Sequence, residues 1–370
     1  MISKFKAVAA ALIATWTLCE SVSGHTQSMG HFVDPLDVQA AEVKGALRAE
    51  RQPLLALALA GKRVVAVGLR GVIIVSDDQG RTWTQATVPV QSDLTTVSFV
   101  SASQGWAAGH DGVILETLDG GLHWSKQLDL RQAREQFPLH YQNSTTGAAA
   151  DNEQYLTQVQ NNLQGDSSLP YLGLAFVDDK QGYAVGAFGM IASTVDGGNQ
   201  WLPAFDRIDN PDQLNLNSIR RIGGHLYIAA ERGVVFRQDS VSGQFVPVST
   251  GYPGSYFDIV GNDRIVLAFG LKGTAYRSLD QGKTWEQVNT QTSSALFSGL
   301  FQADGNVLLI DEAGDLLRAN AQGQHFERLP QALKQPVASA LIAGSDTLVV
   351  VGYAGVGTSL LPGAQSSGDQ

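Results

Sequence analysis

The chain has 370 residues, of which 40 are glycine, 12 are proline and only 16% are charged, a balance that suits a turn-rich β protein better than a helical one. A net charge of −10 gives it no electrostatic reason to seek nucleic acid. No stretch approaches the roughly 20 continuous apolar residues that a membrane-spanning helix needs.

Residues 1–24 read as a secretory signal. Lys4 and Lys6 make a basic start, Ala7 to Leu18 is apolar, and Ser21, Ser23 and Gly24 supply small residues. The sole cysteine, Cys19, falls inside this segment. Leu18 precedes it where a lipidation signal usually has a small residue, so lipid anchoring is not expected. Removing the segment turns 25 cations and 35 anions into 23 and 34, a net charge of −11. It also leaves no Cys for a disulfide, a catalytic thiol or a thiolate-bound zinc. These features fit a periplasmic or secreted protein.

Residues 25–53 form a lead-in. Within it, "HFVDPLDV" (31–38) is expected to form a strand. From 54 to 364 one repeat fills the chain, followed by a short tail, 365–370. The clearest copies of the repeat are "SDDQGRTW" (76–83), "TLDGGLHW" (117–124), "TVDGGNQW" (194–201) and "SLDQGKTW" (278–285). Worn copies lie at 238–245 and 320–326. The closing aromatics Trp83, Trp124, Trp201, Phe245, Trp285 and Phe326 are 41, 77, 44, 40 and 41 residues apart, so one interval carries an insertion. A glycine ahead of a short apolar run marks seven units: Gly71, Gly112, Gly189, Gly233, Gly273, Gly314 and Gly355.

Each unit reads as four short strands. In the second they fall near Thr95–Val100, Trp106–Gly109, Val113–Thr117 and Trp124–Leu128, bounded by Gly, Ser and Asp turns. Four strands about every 40 residues predict an all-β, seven-bladed β-propeller. The seventh unit has only three strands before the polar tail. The 31–38 strand is therefore expected to complete the last blade and close the ring.

The insertion, about 127–169, lies between blades 2 and 3. "LDLRQAREQF" predicts a helix with Leu130, Ala133 and Phe137 on one side. "DNEQYLTQVQNNLQG" predicts a second, with an Asp151–Gln154 capping box, a stripe of Tyr155, Val159 and Leu163, and Gly165 as its stop. Such an element either packs on the rim or covers the channel.

The eight-residue stretch resembles the Asp-box, or bacterial neuraminidase (BNR) repeat, of sialidases, sortilin-type receptors and the photosystem II stability/assembly factor-like family. The last is resembled most closely, with "VG..G.I..S.D.G.TW" recurring from about Leu54 to Leu360. The resemblance implies that Ser76, Asp78, Gly80 and Trp83 build a turn between third and fourth strands. Asp119, Gly121 and Trp124, then Asp196, Gly198 and Trp201, and Asp280, Gly282 and Trp285 build its copies. It further implies a non-enzymatic scaffold that binds a protein client and assists assembly or stability of a membrane complex. In phototrophic members that client is a photosystem II subunit; another envelope complex is the other option. The alternative is a secreted sialidase-like propeller that binds or hydrolyses glycans.

Up-and-down topology places the boxes on one face and the glycine lead-in turns on the other. Those turns present Arg70, His110, Asp111, Phe188, Glu231, Arg232, Lys272, Glu312 and Tyr353, the candidate binding residues, because loops on a rigid scaffold carry function. No catalytic residue, metal site or cofactor is expected. The histidines lack ligand spacing, and no phosphate-binding glycine motif precedes a helix. An arginine cluster for a sialic-acid carboxylate is also missing before the first box. Asp111, Glu231, Asp311 and Glu312 are the acids that a glycosidase reading would use. The expected molecule is a monomer that does not span a membrane.

Overall fold

In the computed structural model, residues 33–43, 48–144, 149–164, 169–333 and 335–361 are described. The signal segment, Cys19, Phe32, Gly165 and the 365–370 tail lie outside them. The described residues form seven antiparallel sheets, each with its strands in chain order. The first strands are Leu54–Ala60, Leu94–Phe99, Tyr171–Phe176, Leu216–Ile222, Tyr256–Gly261, Leu296–Phe301 and Ser339–Ala343. Neighbours in this series pack against one another, and Leu54–Ala60 also packs on Ser339–Ala343, which closes the ring. This is the expected propeller, with the first strands innermost.

Apolar clusters between the blades form the core. The closing aromatic of each box packs on the blade before it. Trp124 joins Val65 and Val75 of blade 1, and Phe326 joins Leu267 and Phe269 of blade 5. Trp201 meets Phe176 edge-on at 5.9 Å, and Phe176 stacks on Trp106 of blade 2 at 3.5 Å. Large aromatic area buried between sheets is what binds one blade to the next.

The boxes fold as hydrogen-bonded turns. Ser76 Oγ donates to Asp78 Oδ1 at 2.8 Å and accepts from Gly80 N at 2.8 Å. Asp78 Oδ1 accepts from Arg81 N and Thr82 N, and its Oδ2 accepts from Thr82 Oγ1 at 2.6 Å. Trp83 Nε1 donates to the Gly80 carbonyl at 3.0 Å. The same pattern recurs at Thr117–Trp124 and Ser278–Trp285. The Thr82 hydrogen bonds bring the Asp78 carboxyl down to about 2. At Asp119 and Asp280 burial pushes upward, but hydrogen bonds from His123 and Thr284 outweigh it and both also reach about 2.

Among the described residues no N-terminal strand closes blade 7, where the 31–38 segment was expected to do so. Residues 34–38 hold a short 3-10 turn, Pro35–Asp37, whose Asp34 side chain caps Leu36 N at 2.9 Å. Proline at the first turn position and aspartate before it favour this turn over a strand. The segment then runs along blade 1, not blade 7. Gln91 N donates to the Pro35 carbonyl, Ala40 N donates to the Val88 carbonyl, and Leu36 and Ala40 are buried in the cluster between blades 1 and 2. Blade 7 consequently has three strands among the described residues, not four. Just past its last strand, Leu361 is buried between blades 6 and 7, the position that box aromatics hold elsewhere.

The insertion folds as two helices, α1 (Leu130–Gln142) and α2 (Ala149–Leu163). Leu130, Ala133, Phe137 and Tyr141 are buried against blades 2 and 3, with Val159 and Leu163 of α2 in the same cluster. Their apolar stripes therefore pack on the propeller rim. The capping box is at Asp129 and Gln132, which starts α1; Asp151 instead lies in the first turn of α2. Arg131 fastens α1 to the N-terminal segment through Asp37, at 2.8 and 2.9 Å, and Asp34 at 3.4 Å.

Candidate functional site

All nine candidate residues lie in the turns between second and third strands, at the end of the ring away from the boxes. Arg70, Phe188, Arg232, Lys272, Glu312 and Tyr353 are exposed, and His110, Asp111 and Glu231 are half-buried. Five turns share one backbone form. Arg70, Asp111, Phe188, Arg232 and Lys272 have φ between 53° and 58°, and each is followed by a positive-φ glycine. The residue after that glycine donates its N–H back across the turn, as Val72 does to the Leu69 carbonyl. Two successive positive φ values define a type I′ hairpin turn, whose usual first residue is Asn, Asp or Gly. Here Arg, Phe and Lys stand there instead, at a cost of about 1 kcal/mol for each left-handed residue.

The turns are fastened to the link that enters the next blade. Asp93 Oδ1 accepts from Arg70 N at 2.8 Å, and Asn215 Oδ1 accepts from Phe188 N at 2.6 Å. Asn215 also donates to both Glu231 oxygens, from its backbone N at 3.0 Å and from Nδ2 at 3.1 Å. Arg232 pairs with Asp212 at 3.0 Å, with both side chains 66% exposed, so the pair is worth at most about 1 kcal/mol. Arg70 and Lys272 have no ion-pair partner among the described residues. A groove of about 680 Å³ runs beside Arg70, walled by Val43, Pro53, Leu69 and Val72. Asn162 of α2 donates to the Phe188 carbonyl at 3.1 Å, so the insertion borders this face.

The acids of the glycosidase reading are largely occupied in turns. Asp111 accepts from Ser92 Oγ at 2.6 Å, and Glu231 is held by Asn215. Asp311 is fully buried and accepts from Ala313 N, Asp315 N and Thr292 Oγ1. Of the four, only Glu312 is exposed.

One ring of residues is not legible in the repeat. Six innermost strands carry a β-bulge at the same place, at Leu55, Thr95, Leu172, Asn217, Phe257 and Phe297. Each bulged residue is half-buried near the turns just described, and all but Leu55 sit between two buried neighbours. They also reach across blades: Phe257 and Phe297 stack at 5.0 Å, and Asn217 Nδ2 donates to the Tyr256 carbonyl at 2.7 Å. Bulges re-aim side chains, and here they set a mostly apolar series on the innermost strands, next to the turns. The signal was a single extra residue after each link, such as Phe257 following "SY", which apolar alternation alone does not reveal.

Comparison with known proteins decides the family. The profile of the family described as "Photosynthesis system II assembly factor YCF48" matches residues 75–144 and 152–328. The chain belongs to this family. It is 24% identical over 267 residues to the photosystem II assembly lipoprotein Ycf48 of Synechococcus sp. (strain CC9902), a match that covers 70% of this chain and 69% of that one. Among solved structures, "YCF48 bound to D1 peptide" superposes with a TM-score of 0.61 at 17% identity, covering 84% of this chain and 94% of the other. "YCF48 from Cyanidioschyzon merolae" gives 0.58 at 18% identity, covering 88% and 98%. These likenesses show the same propeller fold.

Proposed function

We propose that this member of the YCF48 family is a non-enzymatic scaffold in the periplasm, or in a lumen if its host is phototrophic. It binds an extended segment of a membrane-protein client on the turn face; that a relative has been solved bound to a D1 peptide supports a peptide as client. The observation that carries this reading is the set of left-handed turn residues. Arg70, Phe188, Arg232 and Lys272 occupy positions where Gly or Asn would be less strained, and all four are exposed. Side chains kept in a costly conformation on the surface are retained for what they contact. Cations near half-buried aromatic and apolar residues suit a peptide that has both acidic and apolar residues.

The test is a pull-down from envelope membranes with the wild-type chain and with an Arg70→Glu, Arg232→Glu, Lys272→Glu variant. The reading expects a client with the first and its loss with the second, at equal melting temperature. Equal recovery by the two, or turnover of sialosides or glucans that Glu312→Gln abolishes, would contradict it.

A further inference from the structure

Six blades cover the third strand with a fourth, and the seventh does not among the described residues. Its last strand, Gly355–Leu360, pairs with Thr347–Gly352 on one side. In an antiparallel pair every second residue directs its N–H and C=O away from the partner. Blade 6 meets the two ends of this edge with side chains only. Gln331 Nε2 donates to Ser359 Oγ at 2.6 Å and to the Leu360 carbonyl at 3.1 Å, and Gln335 Nε2 donates to the Gly355 carbonyl at 3.3 Å. The middle, Val356 to Thr358, is half-buried to exposed and pairs with no strand on its outer side among the described residues, although the Gln335 side chain packs on Gly357.

Neither of the two described segments nearby runs along this edge. The chain departs at Leu361, whose N–H donates to the Asp346 carbonyl at 2.6 Å as its side chain enters the cluster between blades 6 and 7. Residues 34–40 lie along blade 1. An uncovered edge of this kind is a template for one more strand.

We infer that the Gly355–Leu360 edge accepts an extended strand from a different protein, antiparallel to it and acidic near its C-terminal end. The orientation follows from charge. The strand begins at the turn face, where Gly355 packs directly on the backbone of Glu50 and Arg51. Arg48 and Glu50 pair with each other at 3.4 Å, whereas Arg51 is exposed with no ion-pair partner among the described residues. An antiparallel fourth strand ends at this corner, which sets its last residues beside Arg51. Backbone hydrogen bonds along the edge supply affinity, and this charge sets direction. From that corner the edge runs away from the nine turn residues, and the inference does not rest on the function proposed for them.

The experiment uses the full chain and amide hydrogen exchange. In the free protein the outward amides of Val356–Leu360 should exchange about ten-fold or more faster than those of Ile73–Ser76 and Ile114–Thr117, because they lack a partner strand. The probe is a fluorescein-labelled, C-terminally amidated peptide of alternating valine and threonine with a glutamate at its C-terminal end. It should raise anisotropy on binding and slow exchange in this strand. Arg51→Glu should weaken it about ten-fold, while Arg264→Glu, exposed at the far end of blade 5, leaves it unchanged. A proline at its centre should abolish binding. Three outcomes would overturn the inference: full protection of the edge in the free monomer, a dimer that protects it, or no peptide binding.

Discussion

The side-chain oxygen of Asn215 lies 2.6 Å from the amide nitrogen of Phe188, and the same side chain gives its Nδ2 hydrogen to Glu231 at 3.1 Å. One residue in a link thus ties the turn of blade 3 to the turn of blade 4. Asn215→Ala removes an acceptor and a donor and leaves the Glu231 carboxylate half-buried and short of a partner. The expected loss is about 1–2 kcal/mol in urea unfolding. A loss of client binding larger than the loss of stability would show that the link positions the turn face.

Phe188→Gly separates fold from function. Glycine relieves the left-handed backbone but adds freedom to the unfolded chain, so stability should stay within about 1 kcal/mol. Client binding should fall. Unchanged binding would mean that Phe188 is ordinary turn surface.

The box carboxylates make stability depend on acid. Asp78, Asp119 and Asp280 titrate at about 2 in the folded chain, against 3.8 for an ordinary aspartate. A pKa depressed by folding stabilises fully above the unfolded value and loses that contribution as pH falls through the folded one. Melting temperature should be flat from neutral pH to about pH 5 and should drop between about pH 4 and 2. The Asp78→Asn, Asp119→Asn, Asp280→Asn variant should start lower and drop less across that window. A parallel drop in the variant would assign the acid sensitivity elsewhere.

Adjacent residues at the end of blade 7 should behave oppositely. Leu361 is 8% exposed between blades 6 and 7, while Leu360 is 56% exposed. Leu361→Ala should cost about 2 kcal/mol or more, and Leu360→Ala should stay within about 0.5 kcal/mol. Denaturant midpoints check both. Equal costs would refute the stand-in role of Leu361 for a box aromatic.

The N-terminal segment should hold the insertion. Deleting residues 34–40 removes Leu36 from the cluster between blades 1 and 2 and takes Asp34 and Asp37 from Arg131. Limited proteolysis should then cut near α1 first, before the blades open. Cleavage confined to blade 7 would restore the closing role expected from the sequence.

The seven units were legible because the box and the lead-in glycine answer to local chemistry. A capping Asp and a positive-φ glycine are needed in each turn wherever it sits, so spacing alone counted the blades. The stripe of Leu130, Ala133 and Phe137 was legible for the same reason. Three features were not. The bulges at Phe257 and Phe297 come from inter-blade geometry and barely disturb alternation. The pattern Asp-x-x-Gln occurs at both Asp129 and Asp151, and only the helix start selects between them. Apolar alternation in "HFVDPLDV" suggested a strand, but Asp34 and Pro35 set a turn and Leu36 found a core between blades 1 and 2.

Titration calorimetry of the full chain with a D1 peptide decides whether the turn face binds a client peptide. Saturable binding is expected, weakened at least about ten-fold by Arg70→Glu with Lys272→Glu and unchanged by Asp78→Asn on the opposite face. Binding that survives the double reversal and fails with Asp78→Asn would contradict a client site on the turn face.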